Sequence, residues 1–138
     1  PLCRCRDIQM FKQAAGEDYI IFNGPDEQFM SGRVIGAEGA IGGTYGAMPE
    51  LFLKLDEHVK NGEIEKAREL QHAINAIIYK MCSAHGNMYG VIKEILKKNE
   101  NLELGGVRKP LPSLIDSDMP IVEEAARMIC EAKEKYLA

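Results

Sequence analysis

The chain has 138 residues, 46% hydrophobic and 28% charged, enough for one domain with a real core and too few for two. No apolar run reaches the length of a membrane span, and a net charge of -4 with a pI near 5.4 argues against the basic face that nucleic-acid binding needs. Basic and acidic residues are interleaved, as on solvated helix faces.

In chain order, Asp7 to Ala15 reads as a short helix with Ile8, Phe11 and Ala15 on one face and Gly16 as its stop. Tyr19 to Phe22 is a continuous apolar, β-rich run, which predicts a strand buried on both faces. Asp26 to Ile35 opens with two carboxylates at what would be a helix's positive end, with Phe29, Met30 and Val34 for packing. A weak strand follows at Ala40 to Gly42, then Pro49 suits the first turn of a helix carrying Leu51, Phe52, Leu55 and Val59 and stopping at Asn61-Gly62. This alternation is the signature of parallel βα units.

From Glu63 the pattern changes. Ile64, Ala67, Leu70, Ile74, Ile77, Ile78 and Met81 mark a long amphipathic helix with no strand after it, and Gly86 breaks or kinks it. Val91, Ile92, Ile95 and Leu96 line a further helix. Gly105 to Pro112 reads as loop, and Ser117 to Tyr136 as the last helix, with Pro120 in its first turn. The fold class expected is α/β and mostly helical: a short βα part followed by helices alone.

The four cysteines, in a chain that shows no secretory leader, fit a reducing compartment such as the cytoplasm, with Cys82 and Cys130 expected as core thiols. Cys3 and Cys5 have a spacing that a metal could use, but no second pair or close histidine completes a ligand set, so no metal site is expected. His58 and His72 are expected at the surface, and the seven methionines mainly as core filler.

The segments with chemistry are Phe22-Asn23-Gly24-Pro25-Asp26-Glu27 and Gly39-Ala40-Ile41-Gly42-Gly43-Thr44-Tyr45, each a strand running into a polar or glycine-rich turn. Adjacent carboxylates accept hydrogen bonds from several hydroxyls, and a glycine lets a backbone come close to a ligand. The plainer reading is that Asp26 and Glu27 only favour a helix dipole. The glycine spacing matches neither a dinucleotide fingerprint nor a P-loop.

These two segments, with Arg108-Lys109-Pro110-Leu111, resemble the C-terminal half of the lyase branch of the dihydrodipicolinate synthase and N-acetylneuraminate lyase superfamily, from about Asp7 onward. The resemblance implies the last two strands of a (β/α)8 barrel (TIM barrel), in residues 7–62, and a C-terminal three-helix extension in residues 63–138. It implies class I aldolase chemistry, in which a lysine forms a Schiff base with pyruvate and sialic acid is cleaved to N-acetylmannosamine and pyruvate, with no cofactor. Gly24, Asp26 and Glu27 match the loop that holds the sugar. Gly43 matches a further substrate position, where many lyases carry a serine.

In that family the Schiff-base lysine ends the strand before the helix that starts here near Asp7. Residues 1–6 do not resemble that segment, and Lys12 falls inside a helix, so no catalytic residue is expected in this chain. A full barrel takes about 250 residues, and two strands cannot close one. The expectation is therefore a lyase fragment, inactive alone. The alternatives are a non-enzymatic fragment that self-associates into a homo-oligomer, and one half of a split aldolase.

Overall fold

The computed structural model describes residues 5–138. Its elements are α1 (Cys5–Ala15), β1 (Phe22–Asn23), α2 (Phe29–Val34), β2 (Gly39–Ala40), α3 (Pro49–Lys60), α4 (Ile64–Cys82), α5 (Met88–Glu100) and α6 (Met119–Leu137). Single 3-10 turns at Asp26–Gln28, Thr44–Gly46 and Asp116–Asp118 lead into α2, α3 and α6.

β1 and β2 pair in parallel, Phe22 against Gly39 and Asn23 against Ala40, with α2 as the crossover. The pairing extends one bond beyond each end, from Glu38 N to Ile21 O and from Ile41 N to Asn23 O. The strand is shorter than the apolar run predicted, and it is not buried on both faces: Tyr19 is 64% and Ile20 66% exposed. The physical reason is that, among the described residues, β1 has one strand neighbour, so its row of apolar side chains is only partly covered.

α3 begins at Pro49, whose missing N–H costs nothing in a first turn, and ends where Gly62 takes φ +72. One hydrophobic cluster then runs through α2, α3, α4, α5 and α6. Leu51, Leu55, Leu70, Ile74, Ile77, Met81, Ile95 and Ile129 are at its centre. Those on α3, α4 and α5 are residues that helical spacing assigned to the inward stripes. Phe29, Tyr45 and Phe52 close the end of the cluster nearest the sheet, meeting edge-to-face with centroids 4.3 to 6.0 Å apart.

Several expectations are corrected. Cys82 and Cys130 are exposed thiols: Cys130 is one step, about 100°, round α6 from the inward Ile129, and Cys82 is the last residue of α4, beside the inward Met81. His58 is buried, because its Nδ1 lies 2.6 Å from Glu63 Oε2 at the α3–α4 corner. Phe11, Val34, Met10 and Met119 are exposed, since α1 touches the rest of the chain along one narrow edge and the others lie off the inward stripes. Cys3 of the Cys-x-Cys pair, and most of the segment read as 1–6, lie outside the described residues. Among those described, no three His, Cys, Asp or Glu side chains are grouped to hold a metal.

Candidate functional site

Because β1 and β2 are parallel, the loops that leave their C-terminal ends emerge on the same side of the sheet. That is where parallel α/β proteins meet their ligands. One loop is Gly24 to Gln28 and the other Ile41 to Gly46, so the sequence-predicted residues Gly24, Asp26, Glu27 and Gly43 fall in two facing loops.

Asp26 joins them. Its carboxylate is buried, and Oδ2 accepts both the Thr44 N–H at 2.8 Å and the Thr44 hydroxyl at 2.6 Å. Its Oδ1 lies against Gly42, where an added Cβ would sit 1.5 Å away, so only glycine fits there. No hydrogen bond reaches Oδ1, and none reaches the Glu27 carboxylate, from the described residues. Two acceptors at the strand ends are thus uncommitted.

The support of this loop is what sequence reasoning missed. Asn23, fully buried, braces the turn by donating from Nδ2 to Pro25 O at 2.7 Å. From α4, Gln71 accepts the Met30 N–H at 2.8 Å and donates to Asp26 O at 3.3 Å and to Asn75 Oδ1 at 2.8 Å; Asn75 donates to Glu27 O at 3.1 Å. The signal available was a pair of amides one turn apart on the otherwise apolar inward face of α4, where unpaired polar groups are costly.

Tyr45 stands behind Asp26. Its hydroxyl is sealed from solvent close to the Asn23 and Asp26 side chains without a hydrogen bond of normal geometry to either, and burial, then the Asp26 charge, raises its pKa. On the other side, α5 brings Met88 and Tyr89 over Gly43: an added Cβ there would lie 2.8 Å from Tyr89 Cε1 and 3.4 Å from Met88 Cε. Cys82 Sγ lies 3.6 Å from Met88 Sδ, and partial desolvation, followed by the Glu27 charge, raises its thiol pKa. Glu27, Cys82, Met88, Tyr89, Gly43 and Asp26 therefore form one rim.

A hollow of about 280 Å³ beside β2 is lined by Phe29, Arg33, Tyr45, Phe52, Leu53 and Asp56 among others, but not by Asp26 or Glu27. It is a groove along the strand edge rather than the rim. No lysine stands at either strand end among the described residues. Lys12 belongs to α1, with Nζ 2.5 Å from Glu38 Oε1 and 3.2 Å from Tyr19 O. Its bond to Glu38 raises its pKa, the reverse of what a nucleophilic amine requires.

A family model described as the dihydrodipicolinate synthetase family matches residues 4–129. The chain is 76% identical over 132 residues to an N-acetylneuraminate lyase of Mediterraneibacter gnavus, covering 96% of this chain and 42% of that protein. It is 35% identical over 107 residues to an N-acetylneuraminate lyase of Fusobacterium nucleatum, covering 78% of this chain and 36% of that one. Among solved structures, the wild-type sialic acid aldolase of Ruminococcus gnavus superposes with a TM-score of 0.95 at 74% identity, covering 96% of this chain and 44% of that chain. The Fusobacterium nucleatum N-acetylneuraminate lyase complexed with pyruvate gives 0.71 at 30% identity, covering 95% and 41%. The chain thus spans less than half the length of the proteins it matches.

Proposed function

The chain belongs to the dihydrodipicolinate synthetase family, and from that premise we propose that it forms the sugar-holding side of an N-acetylneuraminate lyase-type aldolase pocket. Residues 7–62 are the last βα units of the barrel and residues 63–138 its helical extension. The observation that carries the reading is the Asp26 carboxylate, held by Thr44 through one oxygen while the other is uncommitted beside Glu27. Two adjacent acceptors on a braced loop suit the hydroxyls of a sugar. The resemblance to lyases over nearly all of this chain supports the same substrate class.

The reaction proposed for the assembled barrel is the cleavage of a sialic acid to N-acetylmannosamine and pyruvate. A lysine amine adds to the 2-oxo carbon and loses water to give an iminium, which accepts the electron pair of the breaking carbon–carbon bond. This chain's part is to bind and orient the sugar; the lysine would come from outside the described residues. The reading places the protein in the cytoplasm, with exposed free thiols as support.

The test is reconstitution. The chain, mixed or co-expressed with the N-terminal part of the Mediterraneibacter gnavus lyase, is expected to release pyruvate from N-acetylneuraminate, and an Asp26→Ala chain is expected not to. Failure of every such pairing, with both parts folded, would count against the reading. Borohydride with pyruvate is expected to add no mass to the chain alone.

A second reading is self-association without catalysis. It rests on Tyr19, Ile20, Phe22, Ile41 and Leu53, all more than half exposed around the two-stranded sheet. Light scattering showing a monomer at high concentration would remove it.

A further inference from the structure

Gly42 and Gly43 are adjacent, and each has its side-chain space taken by a different residue. At Gly42 the occupant is Asp26. At Gly43 it is Tyr89, whose ring edge lies 2.8 Å from where a Cβ would stand and whose hydroxyl lies 3.3 Å from it. Tyr89 comes from another part of the chain: it is the second residue of α5, and its backbone N–H is fixed at 3.0 Å by the side chain of the N-cap Asn87.

Packing alone does not explain a tyrosine here. The residue is 49% exposed, and its hydroxyl makes no hydrogen bond with any described residue. A phenylalanine would cover Gly43 equally well. What the hydroxyl adds is one donor and one acceptor on a rim whose other uncommitted groups, Asp26 Oδ1 and the Glu27 carboxylate, only accept. A polyol needs both kinds of partner, because each hydroxyl donates once and also accepts.

We propose that Tyr89 is a specificity-determining residue of this site, supplying through its phenolic hydroxyl the polar contact that Gly43 cannot make, to a hydroxyl or amide of the sugar. The assignment rests on the sugar-holding reading of the two loops. Gly43 and Tyr89 work as a pair: the glycine makes room for the ring, and the ring returns a hydroxyl to the same place from α5. A side chain on residue 43 would require the ring of residue 89 to give way.

The experiment is an NMR titration of the 138-residue chain with N-acetyl-D-mannosamine, with labelled tyrosine rings and backbone amides. The expected result is that Tyr89 ring signals move together with the amides of Asp26 and Glu27. Tyr89→Phe is expected to weaken binding about fivefold, the effect of one hydrogen bond, at unchanged Tm. Tyr89→Ala should bind more weakly, and adding Gly43→Ser to it should recover most of the Tyr89→Phe affinity or better, a rescue that a packing role would not give. Unchanged affinity in Tyr89→Phe, or no rescue by Gly43→Ser, overturns the assignment. Shifts at Asp26 and Glu27 without any at Tyr89 overturn it while leaving the sugar reading intact. No saturable binding to the unsubstituted chain removes both.

Discussion

Thr44 gives both its backbone N–H and its hydroxyl to a single oxygen of Asp26, so one buried carboxylate fastens the loop after β1 to the loop after β2. Two donors on one oxygen keep the second oxygen turned toward Gly42 and the rim. Bonds to an ionised acceptor are among the stronger ones in a protein. Thr44→Val keeps the shape and the N–H but removes the hydroxyl. We expect it to cost about 1–2 kcal/mol, seen as a Tm lowered by roughly 3–8 °C in a thermal melt.

Gly42→Ala is expected to be far worse than its size implies. The new methyl would stand 1.5 Å from Asp26 Oδ1, so the carboxylate must leave its place and Thr44 loses its acceptor. A loss of about 2–4 kcal/mol is expected by urea unfolding. Gly46→Ala, two residues beyond Thr44, has no atom within 4 Å of the new methyl and should change stability by less than about 0.5 kcal/mol.

Gln71→Leu tests the brace from α4. It strands the Met30 N–H and removes a donor from Asp26 O and from Asn75. The expected cost is about 2–3 kcal/mol, accompanied by faster hydrogen exchange of the Met30 amide than of the α4 core amides. Equal exchange in both proteins would show that the loop holds itself.

Asp118 predicts acid behaviour. Burial alone would raise its pKa, but the N–H groups of His85, Ile115 and Gly86 and the His85 ring outweigh burial and bring the carboxyl down to about 2. A folded value below the unfolded 3.8 means that its contribution is complete above about pH 4 and is lost as pH falls toward 2. Thermal melts between pH 2 and 6 should therefore show a fall at the acid end. Asp118→Asn should be less stable at pH 6 and lose less on acidification.

The helices were legible because their inward stripes repeat at helical spacing, as Leu70, Ile74, Ile77 and Met81 do on α4. The limits of α3 were legible too, its start at Pro49 and its stop at Gly62. The strand was not read correctly: Tyr19 to Phe22 has the composition of a doubly covered strand, but composition does not say what covers it, and the regular pairing begins only at Phe22. The two rim loops were identified from carboxylates and glycines close together in sequence. Their braces were not, because Gln71 and Asn75 lie 45 and 48 residues from the carbonyls they hold. Tyr89 was missed for the same reason: the space it occupies belongs to a glycine on another element. His58 was misplaced because nothing local distinguishes a surface histidine from one whose carboxylate partner lies around a corner.

The amides of Gln71 and Asn75 take hold of the main-chain oxygens of residues 26 and 27, which every amino acid possesses. The course of the main chain at residue 27 is thereby held whatever side chain stands there. Residue 27 can be exchanged without loosening the frame, whereas residue 26 carries the additional bond to Thr44 and is tied to its chemistry. Substitution at position 27 is accordingly expected to leave the fold of the loop intact, whereas substitution at position 26 also removes the tie to the loop after β2.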